Sequence, residues 1–388
     1  MARLRLLFSG LLCSAVLLCS CVMPARAGAA DASPAAAQAR DGSHDFDFLY
    51  GTWLMHNRRL EPPVLSSQDW ARFDSTDEAR ALPGGLGDED FYRSSYPRKG
   101  FVGVTVRLYD HTTNVWRIYW IDNEHSHGDA GAPNVGRWRG NVGIFDEHLM
   151  LEGKPAIDRY TWTRFGGHSK IAAHFAESIS VDGGKTWKLV FANDLIRSGP
   201  LAASADDTAD ESTRPAAGGA RDGSHDFDFE YGKWRMPNHR LVKRLAGSHE
   251  WADFVSCDAG EPLPGGIGDM DVFRTSYWPD FVGMTVRTYD PRSGLWRLYW
   301  VDNHFSHGVM EPPVVGRFNG NVGVFQGNDT FDGKPIVVRF IWTVSPKGSD
   351  EVAKWEQAFS TDGGKTWEVN WRNSLIHDDN CRPAAQHS

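Results

Sequence analysis

The chain carries one long message twice. SHDFDFLYGTW, Ser43 to Trp53, returns as SHDFDFEYGKW, Ser224 to Trp234. Trp70 recurs as Trp251, and Pro83, at the head of a PGG turn, recurs as Pro264. One residue then drops out where SYPRKGF becomes SYWPDF, and the match resumes through Trp116/Trp296, Asp122/Asp302, His127/His307, Arg137/Arg317, Trp162/Trp342 and Asp182/Asp362. A period of about 180 residues is far beyond the ~20–50 of stacked repeats, so the repeating unit is a whole domain. Two copies of one domain are expected, residues 41–197 and 222–377, followed by a tail, 378–388. The stretch between them, 198–221, reads SGPLAASADDTADESTRPAAGGAR, which lacks the bulky apolar residues a core needs and reads as a linker.

Within each copy the apolar period is two. FVGVTVRLYD (101–110) sets Val104, Val106 and Leu108 against Thr105, Arg107 and Tyr109, and VWRIYWID follows after a four-residue turn, HTTN in one copy and PRSG in the other. Further runs of this kind, GRWRGNVGIF, IDRYTWT, IAAHFAESIS and WKLVFANDLI, are separated by Gly-rich or Asp-rich breaks. No long amphipathic helix intervenes, so an all-β antiparallel meander is predicted. Eight to ten such strands in about 150 residues close into an up-and-down barrel, which removes exposed edges and leaves room for an interior ligand.

The opening residues suggest export. Arg3 and Arg5 precede an apolar run from Leu6 to Val22, followed by Ala25-Arg26-Ala27, so residues 1–27 read as a signal peptide cleaved before Gly28. The competing reading is a lipoprotein-type box with Cys21 acylated, the one route by which this chain would be tied to a membrane. A periplasmic or secreted protein is expected in either case, with an Ala-rich segment, 28–40, leading into the first domain. Of five cysteines, Cys257 and Cys381 alone lie beyond the signal. In an oxidising compartment they can pair, but without counterparts in the first copy a fold-defining disulfide is not expected. Net charge is -9, with no run of Lys or Arg, so nucleic acid is not an expected partner.

HDFDFLYGTW has the glycine-any-tryptophan opening of calycins. With NRRL, LPGG, VRLYD, WRIYW, VGR and SVDGGKTW, all of which recur in the second copy nearly unchanged, the set resembles bacterial calycin-like domains of the lipocalin and fatty-acid-binding-protein superfamily. The resemblance spans both copies and implies barrels that enclose a ligand, without naming it. Haem is not implied, because neither LYGTWLMH nor EYGKWRMP continues the longer glycine pattern of the haem-binding nitrobindins, and no other cofactor is expected. SVDGGKTW and STDGGKTW also match the Asp-box of sialidase propellers. A propeller needs one such turn per blade, however, so the box reads as a hairpin turn.

Arg107, Arg137, Arg159 and their counterparts Arg287, Arg317 and Arg339 fall in mid-strand, where a guanidinium must face solvent, pair with an internal Asp, or bind a ligand oxyanion. YWIDNEHSHG and YWVDNHFSHG cluster polar groups where a strand runs into a loop. Tyr119, Trp120, Asp122, Asn123 and His127, with Trp300 and Asn303 in the second copy, are candidate ligand contacts. If the chain is an enzyme, a cofactor-free lyase, hydratase, isomerase or cyclase is the expected class, with His307, Asp302, Tyr299 and Glu356 as its catalytic set. The same cluster reads equally as a loop anchor. No metal site is expected, since these spacings give two ligands at most. The leading expectation is an exported protein holding an amphipathic or apolar small molecule, with or without an anionic group, in each barrel; a structural envelope protein is the third reading.

Overall fold

The computed structural model describes residues 40–167, 169–198 and 222–382. The expected signal with Cys21, nearly all of the Ala-rich segment and of the linker, and the end of the tail lie outside them. The described residues form two closed antiparallel barrels of ten strands each, as the meander pattern predicts. The first contains β1 (Gly51–Leu60), β2 (Trp70–Leu82), β3 (Gly87–Ser94), β4 (Phe101–Asp110), β5 (Val115–Asp122), β6 (Asn134–Arg139), β7 (Val142–Leu151), β8 (Lys154–Arg164), β9 (Ala173–Ser180) and β10 (Lys188–Arg197). The second contains β11 (Gly232–Leu241), β12 (Trp251–Leu263), β13 (Gly268–Thr275), β14 (Phe281–Asp290), β15 (Leu295–Asp302), β16 (Val314–Asn319), β17 (Val322–Phe331), β18 (Lys334–Val344), β19 (Glu351–Ser360) and β20 (Glu368–His377). Each strand pairs with its sequence neighbours. The first also pairs with the last, Trp53 opposite Arg197 and Trp234 opposite His377, so no strand edge is left open.

The repeated opening motif closes the base. Phe46 and Phe227, fully buried, precede one 3-10 turn and insert among aromatic rings; Phe227 meets Trp296 at 4.9 Å and Phe318 at 5.1 Å, both edge-on. Such edge-to-face packing suits the ring quadrupoles and fixes the plug in one orientation. The Trp53 and Trp234 indoles donate back to the Leu49 and Glu230 carbonyls, tying the plug to the first strand.

Every residue of β4 is buried, although the strand alternates in character. Thr105, Arg107 and Tyr109 point into the barrel. Val102, Val104, Val106 and Leu108 point outward, into a core shared with Met270, Met284, Val286 and Val301 of the second barrel. The barrels are thus packed side by side on β4 and β14. Two glycine turns make the approach possible: a Cβ on Gly84 would stand 2.7 Å from Cβ of Val282, and one on Gly265 would stand 2.9 Å from Cβ of Val102. The LPGG motif therefore marks a contact surface, in both copies.

Cys257 and Cys381 form a disulfide that draws the tail across the outer face of β12. The two cysteines thus do pair, an outcome the sequence left open. The bond is not needed to close the barrel, which β11 and β20 already close, and so one copy can have it alone.

The shared core yields a direct test. Met284→Ala removes a fully buried side chain at the junction and should lower unfolding stability in urea by about 2–5 kcal/mol. Ile144→Ala, on an exposed outer face, should shift it by less than about 0.5 kcal/mol.

Candidate functional site

Alternation along three adjacent strands builds a charged floor above each plug. In GDED, Asp88 and Asp90 are two residues apart and so share the inner face of β3, and Arg107 lies directly opposite Asp88 in register. The guanidinium bonds both carboxylates and lies 5.0 Å over the Phe46 ring. In the second copy Arg287 bonds Asp269 and Asp271 and lies 5.0 Å over Phe227. Both arginines are almost wholly buried, and this accounts for their position in mid-strand: they pair with internal aspartates.

The floor holds more acid than one guanidinium can neutralise. Asp77 adds a third carboxyl in the first barrel. In the second, Asp258 repeats it and Glu230, which replaces Leu49, adds a fourth with an oxygen 3.4 Å from Arg287 Nη2. Burial pushes Asp258 well above the usual carboxylate range, and neighbouring Asp271 adds to the effect. Burial likewise raises Glu230 to about 8 and Asp269 to about 7. The cluster therefore retains protons at neutral pH and can donate hydrogen bonds upward. Oxygens of Glu230, Asp258 and Asp271 lie within 4.8 Å of one another, the spacing of a cation site, but Arg287 already brings a positive charge among them.

Above this floor the second barrel encloses a cavity of about 660 Å³. Its walls are largely aromatic, with Phe273, Trp300, Phe340, Trp342, Trp355 and Trp371 all facing it. Trp300 lies flat across β14 because residue 283 is glycine; a Cβ there would stand 2.2 Å from the indole. The rim is formed by Trp278, Phe305 and Glu311 together with two arginines, Arg240 and Arg244.

The residues marked out in the sequence fall elsewhere in several cases. Arg137 and Arg317 are exposed on the outer face. Arg159 pairs with Asp146 at 2.7 Å and lies 3.9 Å over Trp187, while Arg339 lies 4.2 Å over Trp367, again on the outside. Their strand parity, opposite to that of inward Trp138 and Phe318 for the first pair and of inward Asp158 and Val338 for the second, removes these four from any interior site. Trp120 and Trp300 do point inward, and their indoles donate to Asp122 and Asp302 at 3.0 Å. Those two carboxylates also fold the following loop, each accepting a backbone N–H at 2.8 Å, from Glu124 and His304. Asn123 and Asn303 anchor the preceding strands, β4 and β14, by accepting from the Val102 and Val282 amides.

The tyrosines and histidines of the same motif serve the junction between barrels. Tyr119 accepts the Met310 amide at 3.1 Å, and Tyr299 accepts the Ala130 amide at 3.0 Å. The carbonyls of His127 and His307 accept from Arg297 and Arg117 of the opposite barrel. Glu356 pairs with Arg372 at 2.9 Å outside, because Trp355 and Gln357 take the inward positions of β19. His307, Asp302, Tyr299 and Glu356 thus do not converge: His307 and Glu356 are outside the cavity, and the Tyr299 hydroxyl is directed across the junction.

Two features escaped the sequence reading. The GDED and GDMD stretches match no ligand-binding motif, although their alternation opposite a mid-strand arginine signals the floor. Arg240 lies in the recurring NRRL/NHRL motif but with no ligand role legible there, and Arg244 carries no motif; only a comparison of the copies sets the pair apart from ordinary surface arginines. The SxDxGxxW stretch behaves as a hairpin turn: Asp362 accepts from the Thr366 hydroxyl at 2.6 Å and from the Lys365 and Thr366 amides. Those bonds, the hydroxyl's first, hold its carboxyl down at about 2.

A family model for the BNR/Asp-box repeat matches residues 358–369, which is this turn. No curated protein matches the chain. Among solved structures, a mutant of the Rh. blastica porin aligns over 84% of this chain and 97% of its own at 8% identity, with a TM-score of 0.13. A protein assigned as AttH from Nitrosomonas europaea aligns over 88% and 98% at 9% identity, also with a TM-score of 0.13.

The floor has a pH signature. A carboxyl whose folded pKa is raised binds its proton more tightly in the folded state, so stability falls as pH rises from the unfolded value near 4.5 toward 8. Glu230→Leu, which restores the residue of the first copy, should flatten that decline. At pH 8 it should raise unfolding stability by about 1–3 kcal/mol, read from thermal melts across the range.

Proposed function

We propose that the protein is an exported binding protein of calycin type that holds a small amphipathic molecule inside the barrel, with the cavity of the second barrel as the principal site. The observation that carries this reading is the cavity itself, about 660 Å³ between aromatic walls, with polar groups confined to floor and rim. That volume is in the range of pockets that take ligands of a few hundred daltons, and the division into apolar wall and few polar anchors is their usual composition. A structural barrel would fill the same space with its own side chains. The glycine-any-tryptophan opening, repeated at the head of each closed barrel, supports the calycin reading. The disulfide between Cys257 and Cys381 supports an oxidising destination, as do the charged start and apolar run of the N-terminus.

Native mass spectrometry of protein purified from its own cell envelope should find a retained molecule of a few hundred daltons. Leu298→Trp, which fills the cavity from its wall, should release it while the circular dichroism of the barrels stays unchanged. Empty barrels, combined with no binding across a broad metabolite panel, would sink the proposal.

A further inference from the structure

The two copies have treated one internal arginine differently. Arg59 and Arg240 occupy the same inward position near the mouth end of β1 and β11. In the first barrel Glu177 is a buried carboxyl that burial raises to about 7, with the nearby charge of Arg59 working against that rise. In the second barrel the matching residue is Gln357, which lines the cavity and donates to Asn370 at 2.8 Å. The counter-ion has gone, while the cation has stayed. A second cation has also been added, since Arg244 stands where the first copy has Pro63.

Both arginines are partly buried on the cavity rim, and among the described residues neither forms an ion pair with a carboxylate. Arg240 lies 4.9 Å over Trp278 and 5.4 Å over Trp371, its Nε has no hydrogen-bond partner, and its polar company is the Tyr277 hydroxyl. Arg244 lies 4.5 Å over Phe331 and 5.2 Å over Phe359, with the charges of Glu311, Asp332 and Glu368 acting on it only at longer range. Burial, together with the nearby charge of Arg240, pushes Arg244 down to about 10. Ring faces hold the two guanidinium groups in place without neutralising them. Two like charges held together in a partly desolvated rim are a cost unless an anion joins them.

From this counter-ion replaced by Gln357 and the added Arg244, we infer that the ligand of the second barrel is an amphipathic organic anion, a carboxylate or equivalent oxyanion, bound head outward between Arg240 and Arg244. The orientation follows from the floor, where Arg287 is already bonded by both Asp269 and Asp271 and has its charge matched, so an anionic head is better placed between the rim arginines. The apolar body then lies against the tryptophans, and its far end meets protonated carboxyls that can donate to a neutral oxygen. The first barrel has a carboxyl near Arg59 and Pro63 in place of the second arginine, so it offers the same head group a poorer clamp. The inference rests on the cavity being a ligand site.

The test uses one ring system with and without charge: anilinonaphthalene sulfonate as the anion and phenylnaphthylamine as its neutral parent, titrated by fluorescence into the full chain. The wild type should bind the anion at least tenfold more tightly than the neutral probe. Arg240→Gln and Arg244→Gln should each weaken the anion about ten- to hundredfold and leave the neutral probe within about twofold. Gln357→Glu, which rebuilds the counter-ion of the first copy, should do the same without lowering the melting temperature. Equal affinity for both probes, or indifference of the anion to all three substitutions, would overturn the clamp while leaving the cavity reading intact. Failure of both probes to bind, with Leu298→Trp indistinguishable from wild type, would overturn both.

Discussion

A guanidinium buried at the base of a barrel has to be neutralised where it stands, and Arg107 and Arg287 organise much of what surrounds them. Each draws two aspartates from the neighbouring strand, which fixes the register of β3 on β4 and of β13 on β14. Each also lies on the phenylalanine of the plug, so the opening motif is held from above by a cation and from the sides by rings. The excess of carboxyls gives the cavity a floor that keeps protons at neutral pH. Breaking such a pair strands the remaining charges, an effect commonly worth about 3–5 kcal/mol.

The other face of the same strands explains the pairing of the barrels. A barrel strand ordinarily puts its apolar residues inside, but β4 and β14 put charge inside and valine, leucine and methionine outside. Such a face cannot remain in water, and the second copy covers it. The loops after β5 and β15 then cross over, each seated on a tyrosine hydroxyl of the opposite barrel.

Much of the fold was legible in the sequence, and the site far less so. The duplication and the period-two runs lead to two antiparallel barrels. The junction was not legible, because alternation says that a strand has two unlike faces and does not say which is inside. The same parity problem misplaced Glu356: one position along β19 separates it from Gln357, and irregular pairing between β19 and β20 hides the register from a reader of the sequence. The conspicuous motif, YWxDN, proved to be loop and junction chemistry, whereas the cavity rim is built from arginines in ordinary surroundings. What exposes them is the difference between the copies at Glu177/Gln357 and Pro63/Arg244.

The crossing loops carry one further consequence. The segment that supplies Phe305 and Glu311 to the mouth of the second cavity is held, a few residues on, by Met310 on Tyr119 of the first barrel. The first domain thus serves as a jig for the entrance of the second. A gene that lost its first half would encode a barrel with an exposed aliphatic flank and an unframed doorway. Constraint on the shape of that entrance therefore reaches into the first copy, and the two halves depend on each other even as their interiors diverge.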